Sequence, residues 1–341
     1  MSNAKFRLLE TTSVVFEEIV NQMEMNEIFN LTLWSRKTRN IIRSHLRKSI
    51  KYPLFLDSKE RHVMHFGFIR EGERVNIITI RVREKCIERQ FEEMTIGRVK
   101  KQVNKYDSSQ FLSSSVKEWF VHDCPLFFDY ITYLFRTNIN TLYCNIPWIL
   151  RFIRQRQRTP LRMTYFGNKD DERFWQVTNY ERDCYIKSNG VQFCNRFPVV
   201  YDFGLKRDYE YVRVKKWKCR ESEDVLKIAR RSKEVILDES EFMSRSLNDF
   251  FNHWLENRIE ELKFLSIRMF YYTENLVFRG IENRILDTTK EVNYKSYTGE
   301  LYRLSPGKRL RRDDGVIASF YFDPNTKILN FGVVTDNNGN K

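Results

Sequence analysis

Three short amphipathic patterns follow one another along residues 5–51, and they constrain how this chain begins to fold. The first has apolar residues at the i, i+3, i+4 and i+7 positions of a helix, which are Phe16, Ile19, Val20 and Met23. The second, which Asn26 can cap, has the apolar residues Ile28, Phe29, Leu31 and Leu33. The third, which Ser35 can cap, has Ile41, Ile42 and Leu46 on its inward face. These spacings predict three consecutive helices.

The third predicted helix is basic on its outer face, and the whole segment is small. Its outward residues are Arg36, Lys37, Arg39 and Arg43. Three helices within residues 5–51 bury too little apolar surface to be stable alone. The segment must therefore pack against the rest of the chain or against another protein.

This segment resembles an F-box, and five short matches carry the resemblance. They are Val15-Phe16, Ile28-Phe29, Leu31-Thr32-Leu33, Ser35-Arg36-Lys37 and Ile41-Ile42. The resemblance implies that the segment binds an adaptor of the Skp family. Some apolar residues must instead hold the helices together, and the candidates for adaptor contact are Val15, Phe16, Ile19, Ile28, Phe29, Leu31 and Leu33.

The segment departs from the F-box pattern at one place. F-boxes contact the adaptor partly through a Leu-Pro pair, and that pair falls at Thr11-Thr12, where both residues differ. Two alternatives to adaptor binding follow. The helices form a cap that covers one end of the next domain, or they belong to an interaction scaffold whose F-box has lost its partner.

Residues 52–115 read as strands followed by a polar linker. Alternating or apolar stretches predict strands at residues 52–57, 63–69, 75–82 and 91–96. Glu71-Gly72-Glu73 predicts a hairpin turn between the second and the third. The polar, serine-bearing residues 98–115 predict a loop or linker, where a domain boundary could lie.

From residue 116 onward, strands and helices alternate. A helix over residues 116–135 is interrupted by Pro125, and Pro147 opens another helix. Ser246 has capping-box spacing to Asp249 and begins the strongest helix pattern, which Asn257 stops. Further elements are strands at residues 141–145, 161–166, 209–218, 234–237 and 262–267 and a helix at 221–230. Residues 170–206 give no assignment.

The alternation predicts a strand–helix array with a parallel sheet. Several strands recur every twenty to thirty residues, and Leu262-x-x-Leu265-x-Ile267 fits the strand signature of a leucine-rich repeat. Antiparallel strands are predicted at the end, at residues 309–312, 316–322 and 328–334, with turns at 314–315 and 323–326. The expected fold is α/β (α+β). It comprises a helical unit at 5–51, a leucine-rich-repeat-like domain at 52–334 and a disordered tail at 335–341.

The last third of the chain carries a second resemblance. It rests on residues 246–255, 261–267 and 311–318, which resemble the F-box-associated region of the large nematode family of F-box proteins. Together the two resemblances imply a substrate receptor of a Skp–cullin–F-box ubiquitin ligase. Its expected partners are a Skp-family adaptor with its cullin complex and an unknown protein target.

Charge and cysteine usage bound the remaining function classes. The net charge of +14 comes partly from clusters at residues 36–51, 151–162 and 308–312, which raise the lesser alternative of a nucleic-acid binder. The six cysteines are scattered without a Cys-x-x-Cys pair and read as reduced, mostly buried thiols. With no signal peptide or membrane-length apolar run, an intracellular protein of the cytoplasm or nucleus is expected.

The chain shows no motif for catalysis, a metal or a cofactor. It lacks Gly-x-Ser-x-Gly, a glycine-rich phosphate loop and His-Glu-x-x-His. His62 and His65 lie three apart in a predicted strand and so face opposite ways, which is poor for zinc. The acidic runs at residues 170–172 and 313–314 read as solvated turn or cap residues. The sequence therefore predicts a non-catalytic protein without a cofactor.

Overall fold

A computed structural model gives the structure of the chain. It describes residues 11–46, 52–60, 63–82, 92–107, 110–113, 123–145, 147–167, 188–197, 205, 207–304 and 307–334. The chain divides into two compact units, Met1–Thr159 and Pro160–Lys341. The division falls at neither the predicted end of the helical segment nor the possible boundary near residues 98–115. The three helices share the first unit with the strands that follow, as their small size requires.

The predicted three-helix segment is present in the first unit. It consists of α1 (Ser13–Gln22), α2 (Met25–Trp34) and α3 (Arg36–His45). The Ser35 cap is confirmed, since its hydroxyl oxygen accepts a hydrogen bond from the Thr38 amide at 3.0 Å. The Asn26 cap is wrong, because α2 already begins at Met25 and Glu24 is its N-cap. The Glu27 carboxylate accepts from the Glu24 amide at 2.9 Å instead.

In the part of the first unit that the structure describes, the sheet has seven strands. They are β1 (Leu54–Ser58), β2 (Val63–Arg70), β3 (Glu73–Val82), β4 (Glu92–Ile96), β5 (Val99–Asp107), β6 (Gln110–Ser113) and β7 (Ile139–Cys144). Their order is β7-β1-β2-β3-β6-β5-β4. β1 runs parallel to β7 and β3 runs parallel to β6, while the other pairs are antiparallel. The predicted hairpin turn is confirmed by positive φ angles at Glu71 and Gly72.

The prediction of a linker at residues 98–115 is wrong. Gly97, with φ at +66°, turns the chain from β4 into β5, and β6 then pairs with the other side of β5. The neighbouring strands supply the backbone hydrogen bonds of β5, so its polar sequence does not prevent it from forming a strand. Sequence polarity alone therefore gave the wrong assignment.

The described residues of the first unit also include two further helices, α4 (Cys124–Phe135) and α5 (Pro147–Arg156). Pro125 lies in the first turn of α4 and does not interrupt it, because proline is tolerated where no intrahelical N–H bond is made. The predicted part of that helix at residues 116–122 lies outside the described residues. α5 begins at Pro147 as predicted.

A parallel sheet organises the second unit, as predicted. Its five strands are β8 (Leu161–Phe166), β9 (Ser188–Phe197), β10 (Tyr209–Trp217), β11 (Ser232–Met243) and β12 (Phe264–Tyr271). The helices α6 (Ser222–Ala229) and α7 (Ser244–Leu255) join β10 to β11 and β11 to β12. The strands begin at residues 161, 188, 209, 232 and 264, so the spacing is irregular. The finer identity as leucine-rich repeats stays a prediction.

The strongest predicted helix, α7, begins at a different residue from the predicted cap. It starts at Ser244, and the hydroxyl of Ser246 donates to the Arg220 carbonyl oxygen at 2.8 Å, so the capping box with Asp249 is wrong. Its end is confirmed by Asn257, which has a φ of +59°. The apolar stripe is buried at Leu247, Phe250, Phe251 and Trp254, and its last member, Leu255, is half-buried.

The antiparallel end of the second unit is confirmed and is larger than predicted. After the short α8 (Glu274–Val277) come β13 (Ile285–Thr288), β14 (Val292–Lys295), β15 (Leu301–Leu304), β16 (Gly307–Arg311), β17 (Ile317–Asp323) and β18 (Ile328–Val334). The order β13-β16-β17-β18 continues into β12. β14 and β15 form a separate hairpin that the sequence did not predict. In the described ranges, every helix is too short or too polar to cross a membrane.

Candidate partner-binding surfaces

Four of the seven predicted adaptor-binding residues form the interior of the three-helix segment. Phe16, Ile28, Phe29 and Leu33 are all buried. The Phe29 ring lies edge-on to Tyr130 of α4, with ring centroids 5.7 Å apart. A charged side chain at Phe16 would disrupt the interior of the three-helix segment whether or not Phe16 contacts an adaptor. Loss of adaptor binding in Phe16→Asp would therefore report on folding. These four side chains hold the segment together.

Tyr130 ties α2 to α4. Its hydroxyl lies 2.9 Å from the Thr32 carbonyl oxygen and 2.8 Å from the Thr32 hydroxyl, and the latter donates to the Phe29 carbonyl oxygen. Burial raises the pKa of Tyr130, although its polar neighbours oppose that rise. The hydroxyl therefore stays protonated and available as a donor. This buried polar link explains why Thr32, in the middle of α2, is itself buried.

The segment also presents large apolar side chains to solvent. Val14 is 73% exposed, Val15 is 47% exposed and Trp34 is 80% exposed. Ile19 and Leu31 are half-buried. Of the seven predicted residues, then, Val15 is exposed and Ile19 and Leu31 are partly so. Trp34 was not predicted as a binding residue, because it continues the apolar sequence of α2 and so resembles another interior residue. Its position directly before the Ser35 cap, at the end of the helix, was a signal that could have identified it as exposed.

Thr12 caps α1 where the F-box pattern has proline. The Thr12 carbonyl oxygen accepts from the Phe16 amide at 2.9 Å, and its hydroxyl oxygen lies 3.5 Å from the Val15 amide. Its φ of −63° is the value to which a proline ring is fixed. The departure from the pattern thus supplies a helix cap, and the backbone there is compatible with the family's residue.

A second set of exposed apolar side chains lies at the carboxyl ends of β11 and β12. Met243 is 44% exposed, and it pairs in register with Tyr271, which is 64% exposed. The adjacent Phe270 is 63% exposed. Ser244 fixes this edge, since its hydroxyl donates to the Tyr271 carbonyl oxygen and accepts from the Thr273 amide. Ligands of open parallel sheets bind outside these strand ends, which makes the edge a candidate binding surface.

One face of the parallel sheet carries a packed hairpin. The β14–β15 hairpin packs on it, with Tyr294 stacked on Phe264 at 4.5 Å between ring centroids. The Glu234 carboxylate accepts from the Tyr294 hydroxyl at 2.8 Å and from the Tyr297 amide at 2.9 Å. Burial raises the pKa of Glu234, and these hydrogen bonds only partly offset that rise. The carboxylate anchors the hairpin to the sheet.

The basic clusters are partly used in internal contacts. Arg156 donates to Asp129 at 3.2 Å. Arg312 is buried, donates to Asp314 at 2.5 Å and lies 5.2 Å from the centroid of Trp254. Side chains engaged in this way are less available to phosphates, which weakens the case for a nucleic-acid groove.

Within the described residues no group of three His, Cys, Asp or Glu side chains is placed to hold a metal. His65 contacts the Thr79 hydroxyl at 2.8 Å, while His62 lies outside the described residues. Asp313 forms an ion pair with Arg284, and residues 170–172 lie outside the described part. The expected buried thiols are confirmed at four positions, which are Cys124, Cys144, Cys194 and Cys219.

Comparison of the chain with models of known protein families, with curated protein sequences and with solved structures finds no match.

Proposed function

We propose that this protein is a substrate-recruiting adaptor of a Skp–cullin–F-box ubiquitin ligase, with no catalysis of its own. In this proposal the α1–α3 segment binds a Skp-family adaptor, and the second unit binds a protein target. The observation that carries the proposal is the exposure of Val14, Val15 and Trp34 on a segment whose other apolar side chains are buried or half-buried.

Exposed side chains of this kind are typical of a binding surface. Large apolar residues left in water on small helices are stabilised when a partner covers them. Tryptophan is enriched among the few interface residues that supply most of the binding free energy. Trp34 is therefore the expected anchor of the adaptor contact, with Val14 and Val15 as supporting residues.

The target contact is proposed at the carboxyl ends of β11 and β12. Met243, Phe270 and Tyr271 supply exposed apolar and aromatic surface there, on strands fixed by the sheet. Two of these side chains are aromatic, as is common at protein interfaces. Replacing both aromatic residues by serine should remove target capture and leave adaptor binding intact.

Co-expression with a Skp-family adaptor, followed by size-exclusion chromatography, tests the adaptor contact. The proposal expects a stable one-to-one complex that Val14→Asp dissociates. Leu301→Asp is the matched control, since Leu301 is also 73% exposed but lies on β15. A native chain that elutes without the adaptor, or equal effects of the two variants, would contradict the proposal.

A scaffold with a non-functional F-box is the second candidate, and Thr12 favours it. The family's Leu-Pro pair is replaced here by a residue that serves as a helix cap. In that case the double variant Thr11→Leu, Thr12→Pro should create adaptor binding that the native chain lacks. The φ of −63° at Thr12 means that this proline needs no backbone change at its own position.

A further inference from the structure

A cavity of about 410 Å³ lies in the first unit, beside the face of α3 that was predicted to be solvated. Its lining includes Arg36, Arg39 and Asn40, which share one face of α3 because they are spaced three and four residues apart. Arg98, from the turn after β4, lines it as well, and α4 supplies the remaining wall with Leu126, Asp129, Tyr130 and Tyr133. Its volume falls in the usual range for small-molecule sites, roughly 300–1,000 Å³.

Arg39 is the unexpected member of this lining. It is only 7% exposed, although the helix pattern predicted an outward side chain. One guanidinium nitrogen donates to the Gly97 carbonyl oxygen at 2.7 Å, and the guanidinium carbon lies 5.7 Å from the Tyr130 ring centroid. Its Nε is buried without a hydrogen-bond acceptor. No carboxylate of the described residues forms an ion pair with it.

A buried guanidinium without an anionic partner is costly, because burial removes water that stabilises the charge. A carbonyl oxygen and an aromatic face compensate for part of this cost only. The open space next to Arg39 is the cavity that it lines. An anion in the cavity would supply the missing partner.

The other charges around the cavity favour an anion too. Arg36 and Arg98 are exposed residues of the lining. Asp129 is the one acidic residue among the described residues of the lining, and its carboxylate accepts from Arg156 at 3.2 Å, which offsets its charge. Three arginines therefore face one partly neutralised carboxylate.

We propose that this cavity binds a small soluble anion that carries several phosphate groups. The planar guanidinium donates two parallel hydrogen bonds to phosphate oxygens, and three arginines match a ligand with more than one such group. Asn40 adds an amide donor. This site does not depend on the adaptor proposal, since it uses neither Val14, Val15 nor Trp34.

Isothermal titration calorimetry of the full chain with sodium tripolyphosphate at low salt tests the site. The proposal expects saturable binding of one tripolyphosphate per chain. The double variant Arg36→Gln, Arg98→Gln should weaken binding about tenfold or more, because each exposed arginine contributes a charged hydrogen bond. Both side chains are exposed, so the fold should be kept. The control Arg158→Gln removes an exposed arginine that does not line the cavity and should leave the affinity unchanged.

A second variant and a second probe sharpen the test. Asp129→Asn removes the opposing carboxylate and should tighten tripolyphosphate binding. Citrate, which offers carboxylates, should bind more weakly than tripolyphosphate. The proposal is overturned if no saturable binding occurs, if Arg158→Gln weakens binding as much as the double variant, or if citrate binds more tightly.

Discussion

Helices α1 and α7 have similar apolar spacing but use it differently. Four members of the α7 stripe are fully buried, namely Leu247, Phe250, Phe251 and Trp254, and only Leu255 at the last residue of the helix is half-buried. The Trp254 ring lies edge-on to Phe331 at 5.2 Å between centroids. On α1, Phe16 and Val20 are buried, whereas Ile19 of the same stripe is half-buried and the neighbouring Val15 is 47% exposed. The apolar side chains of α7 are thus covered almost entirely within its own unit, whereas α1 leaves apolar surface exposed to solvent.

The surroundings of the two helices explain this difference. α7 packs into an aromatic cluster that also contains Phe278, Phe320 and Phe331. The α1–α3 segment relies instead on a few specific links, such as the contacts of Tyr130 with Thr32 and of Arg39 with Gly97. The helices of this segment are ten residues long each and cannot bury all their apolar side chains.

The largest effect is expected where the α7 packing is broken. Trp254→Ala should lower the free energy of unfolding by about 3–5 kcal/mol, because it leaves a large cavity in a filled core. Urea unfolding followed by circular dichroism measures this loss. Phe270→Ala is the control, since that exposed ring should matter by less than about 0.5 kcal/mol. Similar losses of stability in both variants would show that Trp254 is not packed in a filled core.

On the α1 side, Phe16→Ala should cost about 3 kcal/mol, whereas Val15→Ala should cost less than about 0.5 kcal/mol. Both variants introduce alanine at neighbouring positions of the same helix, so the difference between their free energies of unfolding reflects mainly the difference in burial. Hydrogen exchange of the α1–α3 amides, compared between the two variants, reports the local loss. Equal protection from hydrogen exchange in both variants would mean that Phe16 and Val15 do not differ in burial.

The link between α2 and α4 predicts a smaller effect. Tyr130→Phe should lower the free energy of unfolding by about 1–2 kcal/mol, because the Thr32 carbonyl oxygen loses its buried donor. Tyr133→Phe is the matched control, as Tyr133 is one helical turn away on α4 and exposed. A stability unchanged in Tyr130→Phe would show that packing alone holds α2 in place.

The smallest effect concerns Glu234 and depends on pH. Burial raises its pKa above the ordinary value of 4.5, so the folded chain holds this proton more tightly than the unfolded chain does. The stability that the proton adds is present below pH 4.5 and is lost as the pH rises through the folded pKa. Glu234→Gln does not titrate there.

The native chain should therefore gain stability relative to Glu234→Gln when the pH is lowered from 7 to 4.5. Urea unfolding of both chains at the two pH values gives the difference. A difference that stays constant, or that changes in the opposite direction, would argue against a buried carboxylate with a raised pKa.

Elements marked by a local signal were predictable from the sequence. The Ser35 cap and the Glu71-Gly72 turn each depend on neighbouring residues only, and the strand at residues 328–334 is marked by its own apolar sequence. The strand β5 was not predictable, because its partners β4 and β6, rather than its own polar side chains, make it a strand. Ser246 failed as a cap because its hydroxyl binds the distant Arg220 carbonyl oxygen.

The candidate sites follow the same rule. Helical spacing identified the apolar residues of α1 and α2, but only the packing of α4 decides that Phe29 is buried and Trp34 is exposed. The position of Arg39 was predicted wrongly for the same reason. Gly97 and Tyr130, which are distant in the sequence, draw its guanidinium inward.

The adaptor proposal is tested by the affinity of the purified full chain for a Skp-family adaptor, measured by calorimetry for the native chain and for Trp34→Ala. We expect one-to-one binding by the native chain and a loss of about tenfold or more in Trp34→Ala, with the unfolding transition unchanged, if the adaptor proposal is correct. A native chain that does not bind the adaptor, or a Trp34→Ala variant that binds as tightly as the native chain, would contradict it.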